Sequence, residues 1–145
     1  NARWIAEELY NKKPFGSFEE LSSKMINIFE TSSEEQKLKI LNAHPDLADK
    51  TKIGLLTPDS IKEQNSAGLD QCTEKEFNEF KILNSTYKKF GFPFILAVKE
   101  KNKNEILDNF RKRISSDHKT EFDEAIKQVK KIANLRLIEI KNKNI

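Results

Sequence analysis

The chain is poor in the residues that punctuate and cross-link small proteins: 145 residues hold one Cys, four Gly and four Pro. A single thiol forms no intrachain disulfide, which suits a reducing compartment and points to the cytoplasm. So few Gly and Pro argue against a low-complexity or turn-rich all-β chain. No apolar run approaches the roughly 18–20 residues of a membrane span, so no membrane partner is expected. Two His and one Cys show neither C-x-x-C nor H-E-x-x-H spacing, and no metal site is expected from them. A glycine-rich phosphate loop is also missing. Charge of one sign is lacking too: 26 Lys and Arg face 23 Asp and Glu, for a net charge of +3. The two signs are interspersed rather than segregated, which describes a solvated mixed surface and not a nucleic-acid face.

What is present is helical periodicity on a chain of single-domain length, residues 1–145. The first residue is Asn, not Met, so a segment before it is expected to be missing. Ser17 to Glu20 reads as a capping box, followed by Phe18, Leu21, Met25, Ile28 and Phe29 on one helical stripe. Ser33 with Gln36 opens a second helix, which ends near Asn42 because His44 precedes Pro45 and is pushed out of the α region. Thr57-Pro58 opens a helix that stops at Gly68, and Thr73 with Glu76 opens one that closes at Gly91.

Phe92 to Val98 is the most apolar run, either a buried helix start or an extended piece. Ile106, Leu107, Phe110 and Ile114 mark a further helix. A last one, over about 118–140, aligns Phe122, Ala125, Ile126, Val129, Ile132, Ala133 and Ile140. No β alternation is sustained. The fold expected is an all-α, single-domain bundle of about six to eight helices.

Three features break the local rules. Arg136 falls in the apolar stripe of the last helix, while 22 of the 26 basic residues are Lys. It reads as the core-facing cation, and a guanidinium suits bidentate carboxylate recognition. The plainer alternative is an Arg paired with a structural acid. Ser60, Glu63 and Gln64 stand at i, i+3 and i+4, so a hydroxyl, a carboxylate and an amide share a helix face, with small Ala67 beside them. Such a patch suits a polar small molecule, or is an ordinary wet face. His44 sits on a loop stiffened by Pro45, where an imidazole can move protons near neutrality or simply end a helix.

Taken in order, His44-Pro45-Asp46-Leu47, the run Ser60 to Leu69, Lys89 to Ile95 and Arg136-Leu137 resemble the decarboxylases of 2-oxo-4-hydroxy-4-carboxy-5-ureidoimidazoline (OHCU), enzymes of urate breakdown. Leu83-Asn84-Ser85-Thr86-Tyr87, the Trp4 region and Lys13-Pro14-Phe15 are similar to further parts of that family. The resemblance implies an all-α fold and a decarboxylation without cofactor that yields (S)-allantoin. By motif, His44 carries over as the catalytic His and proton donor, with Glu63 and Arg136 as its active-site partners. Ser60 and Gln64 carry over as substrate-binding, with Pro45 and the backbone of Phe94, Ile95, Leu96, Ala97 and Val98 lining the pocket. A homodimer is implied as well.

Two other readings compete. A non-catalytic helical interaction module would dock a partner on Phe92 to Val98 and would leave His44, Ser60, Glu63 and Arg136 far apart. A decarboxylase or hydrolase of a different ureido acid would use the same pocket. Any enzyme reading requires those four residues to converge.

Overall fold

The structure is a computed structural model that describes residues 4, 5, 8, 18–49 and 58–143. The described residues form six α-helices: α1 (Phe18–Glu30), α2 (Glu34–Asn42), α3 (Pro58–Ser66), α4 (Glu74–Tyr87), α5 (Lys103–Arg113) and α6 (His118–Lys143). Short 3-10 turns at Leu69–Gln71 and Lys88–Phe90 follow α3 and α4. Strands are absent among the described residues, as the periodicity predicts.

Local chemistry sets the boundaries. Ser33 caps α2 and Thr73 caps α4, each in a reciprocal box with the third helical residue, Gln36 or Glu76. Asn102 and Glu105 build a third box at the start of α5 that the sequence reading did not single out. The proposed caps at Ser17 and Thr57, and the Lys13-Pro14-Phe15 match, lie outside the described residues. Gly68 and Gly91 end their helical stretches at φ +80° and +87°, in the left-handed region that glycine enters without steric cost.

The core is aromatic. Tyr87 lies among Phe90, Phe92, Phe94 and Phe110 with ring centroids 4.7, 6.0, 5.5 and 5.8 Å away, and Phe94 stacks on Phe110 at 3.9 Å. α6 packs across α1 and α2, and α5 lies along α4. Phe92–Val98 is neither helix nor strand, which resolves the two options in favour of the non-helical one. All of it except Pro93 is buried. One position departs from the expected stripe of α6: Ile140 is 53% exposed.

Candidate active site

Three parts of the fold meet at one cavity of about 310 Å³: the loop after α2, one face of α3, and the non-helical run 92–98, with α6 closing the side. His44, Pro45, Ser60, Glu63, Gln64 and Arg136 all line it, and so do Phe94, Ile95, Leu96, Ala97 and Val98. Every site residue expected from the sequence is therefore brought to the same hollow. The far-apart arrangement that an interaction module requires is not found.

The i, i+3, i+4 spacing on α3 aims Ser60, Glu63 and Gln64 together, and α6 delivers Arg136 opposite them. Arg136 Nε donates to Glu63 Oε2 at 3.0 Å and Nη2 to Glu63 Oε1 at 2.8 Å, a two-point carboxylate pair. The same Nη2 reaches Ser60 Oγ at 3.5 Å. Donating to Glu63 raises the Arg136 pKa further, against the opposing effect of burial. This pair leaves Nη1 as the arm of the fork not engaged by Glu63 or Ser60. The guanidinium is thus held in place and still has a donor to offer an anion.

The His44 loop is fastened from three directions. His44 Nδ1 lies 2.8 Å from the Ile40 carbonyl, Asn84 Nδ2 donates to the Leu47 carbonyl at 3.0 Å, and the Ala48 amide donates to Gln64 Oε1 at 3.1 Å. Ala48 holds φ +56°, an uncommon conformation for a residue with a Cβ. Nδ1 bears the proton when it donates to Ile40, so the neutral ring has its lone pair at Nε2. Burial lowers the His44 pKa; the Ile40 bond and the Glu63 charge oppose that, and the Arg136 charge adds to it. The imidazole therefore rests neutral at pH 7, able to accept a proton and return it. Gln64 commits its oxygen to Ala48, so its amide NH2 is what it can offer a ligand.

A second polar cluster lies behind the 92–98 wall. Arg113, at the end of α5, donates from Nε to Glu121 Oε1 at 2.9 Å, from Nη1 to the Ile95 carbonyl at 2.6 Å and from Nη2 to the Tyr87 hydroxyl at 3.3 Å. Tyr87 donates in turn to Glu121, and burial, more than that bond, pushes the phenol pKa up. Two residues farther along the wall, Gln128 Oε1 accepts from the Ala97 amide at 2.9 Å.

This cluster corrects the reading of Arg136 as the core-facing cation. Arg113 has 10% of its side chain exposed against 34% for Arg136. The signal was present: Arg113 continues the stripe of Ile106 and Phe110, and Glu121 and Gln128 fall beside Ala125 on α6. The stripe test that singles out Arg136 finds these residues as well. Cys72 and His118 do not line the cavity, and the described residues contain no group of three or more His, Cys, Asp and Glu able to hold a metal ion.

An all-α fold with a polar, carboxylate-paired arginine in a small-molecule cavity defines the class: a small helical enzyme domain. The chain belongs to the OHCU decarboxylase family, whose model matches residues 1–138. It is 41% identical over 137 residues to the OHCU decarboxylase of Haloferax volcanii, covering 94% of this chain and 80% of that one. It is 43% identical over 141 residues to a uric acid degradation bifunctional protein of a Bacillus species. That match covers 97% of this chain and 28% of the relative, so the chain spans a little over a quarter of the bifunctional protein. Among solved structures it is similar to (S)-allantoin synthase, with a TM-score of 0.73 and 32% identity over 94% of this chain and 44% of that one.

Proposed function

We propose that this chain decarboxylates OHCU to (S)-allantoin in urate degradation, as a carboxy-lyase that needs no cofactor. The observation that carries the reading is the meeting of His44, Ser60, Glu63, Gln64 and Arg136 on one cavity in a chain of this family. Its volume of about 310 Å³ falls at the lower end of the roughly 300–1,000 Å³ usual for small-molecule sites.

The substrate's own structure explains why side chains suffice. Its C4 carries a hydroxyl and a carboxylate beside the C=N bond of the imidazoline ring. When the C4–carboxylate bond breaks, its electron pair forms a C4=C5 bond, and the C=N pair moves onto nitrogen, which takes from solvent the one proton the overall reaction consumes. The 4-hydroxyl then gives up its proton as C4=O forms, and C5 takes one. The ring is the electron sink that a bound cofactor supplies in other decarboxylases. Arg136, fixed by Glu63, holds the anionic substrate. Ser60 and Gln64 orient it through the ring and ureido arm. His44, neutral with its lone pair at Nε2, takes the hydroxyl proton and delivers one to C5. Delivery from one side of the ring gives one enantiomer, and donors fixed in advance by the fold stabilise the developing charge.

The same reading places the reaction in the cytoplasm, where the thiol of Cys72 stays reduced, and the protein as a homodimer, as the family resemblance implies. Generating the unstable substrate from urate in situ, and following (S)-allantoin by circular dichroism, tests the activity. The expected result is formation of the (S) enantiomer well above the buffer rate; no acceleration overturns the reading.

A further inference from the structure

The wall 94–98 enters the cavity through residues that are apolar, yet it borders a polar substrate. What it can offer is backbone, and the backbone is held from behind at two consecutive peptide groups. The Ile95 carbonyl accepts from Arg113 Nη1 at 2.6 Å, and the Ala97 amide donates to Gln128 Oε1 at 2.9 Å. Both side chains are buried, and neither lines the cavity. In a trans peptide the C=O and N–H point in opposite directions. Tying the Ile95 carbonyl to Arg113 therefore turns the Leu96 N–H away from Arg113. Tying the Ala97 N–H to Gln128 likewise turns the Leu96 C=O away from Gln128. A residue flanked in this way presents its own N–H and C=O on one edge, as a hydrogen-bonded residue does in an antiparallel ladder.

We infer that Arg113 and Gln128 are positioning residues for the reaction, which set the Leu96 N–H and C=O as a donor–acceptor pair for an amide edge, –CO–NH–, of the bound ureide. The inference rests on the decarboxylase reading above. Arg113 is itself immobilised for this task. Glu121 and the Tyr87 hydroxyl take its other donors, and its guanidinium lies 4.5 Å over the Phe94 ring, so residues 94 and 95 are both set by one side chain. Lysine at this position would keep the charge for Glu121 but lose the planar fork that reaches Ile95 and Tyr87 together.

The test compares Arg113→Lys and Gln128→Met with Ile28→Val, a core change on α1 whose side chain is buried away from the cavity. All are assayed at a temperature at which circular dichroism shows each fully folded. Turnover of in-situ OHCU is measured alongside the Kd for (S)-allantoin, and ¹⁵N amide shifts report the Leu96 response to that ligand. The expected result is a tenfold or greater loss in kcat/KM for Arg113→Lys and Gln128→Met. The Leu96 amide shift seen on adding (S)-allantoin to the wild type should shrink in both, while Ile28→Val keeps wild-type values. If Arg113→Lys does not fold, Gln128→Met decides alone, since it acts on the neighbouring peptide group. Kinetics and a Leu96 response equal to wild type in the folded variants overturn the positioning role and leave the decarboxylase reading intact. A wild-type protein without turnover overturns both.

Discussion

Two arginine–carboxylate pairs built from the same groups have been put to different uses. Arg136–Glu63 borders the cavity with about a third of each side chain exposed, while Arg113–Glu121 lies behind the wall with 10% and 1% exposed. The buried pair uses Nε, Nη1 and Nη2 on protein acceptors, whereas the cavity pair uses Nε and Nη2 and keeps Nη1 in hand. Burial decides the difference. A guanidinium cut off from solvent must find acceptors for its donors within the protein, and a guanidinium at a cavity can leave one for a ligand.

That contrast is open to attack by substitution. The largest effect is expected from His44→Asn, which removes the proton carrier next to Arg136. Turnover should fall by about 10²–10⁴-fold with the fold retained, since an Asn amide can still donate toward Ile40. Near-normal turnover would remove His44 from the chemistry. Burial holds the His44 pKa below its ordinary value of 6.5, so the acid limb of kcat/KM should lie below pH 6.5. Stability carries the same signature. As pH falls through 6.5 the unfolded chain binds a proton at this site before the folded one, so stability declines toward acid. His44→Asn should flatten that part of the stability–pH curve, measured by urea unfolding; an unchanged slope would show that another group titrates there.

Arg113→Ala should come next, with a stability loss of about 3–5 kcal/mol in chemical denaturation, because it strands Glu121 as a buried unpaired charge. A loss below about 1 kcal/mol would mean that the two pairs are not different in kind. Arg136→Ala should show the reverse balance. Stability should change by about 1 kcal/mol or less, while kcat/KM falls by about 10²–10³-fold, as when one fixed donor is removed from a reacting centre. Equal effects on stability from the two Arg→Ala variants would erase the distinction. The smallest effect belongs to Arg111→Ala, on the exposed pair with Glu79, where turnover should match wild type. A loss there comparable to that of Arg136→Ala would discredit the stripe as the reason for choosing Arg136.

Much of this was legible in the residues, for identifiable reasons. Helix starts were readable where the cap is a side chain on the next turn, as at Ser33 and Thr73, because the information is local. The face of Ser60, Glu63 and Gln64 was readable from spacing alone, but spacing could not say that Arg136, 73 residues from Glu63, would meet it. The resemblance to a family supplied that link. The conformation of residues 92–98 was not readable, since an apolar run has no period of its own and its backbone partners lie far along the chain. Arg113, three residues after Phe110 on α5, and Glu121, four residues before Ala125 on α6, carry the same stripe signal that singles out Arg136. Asn84, which holds the Leu47 carbonyl, was seen as part of a motif with no physical role attached.

The wall of the cavity also bears on how the protein is made. Its outer edge is satisfied by side chains 18 and 31 residues farther toward the C-terminus, Arg113 for Ile95 and Gln128 for Ala97. In a chain synthesised from its N-terminus, that apolar run emerges well before either partner and is not fully anchored until α6 has been extended as far as Gln128. For that interval Phe94 to Val98, beyond Pro93, is a β-prone, uncharged window of the kind that aggregates. Lys88 and Lys89 stand just ahead of it and Lys99, Glu100 and Lys101 just behind, a charged guard on each side of an apolar segment that must wait for its partners.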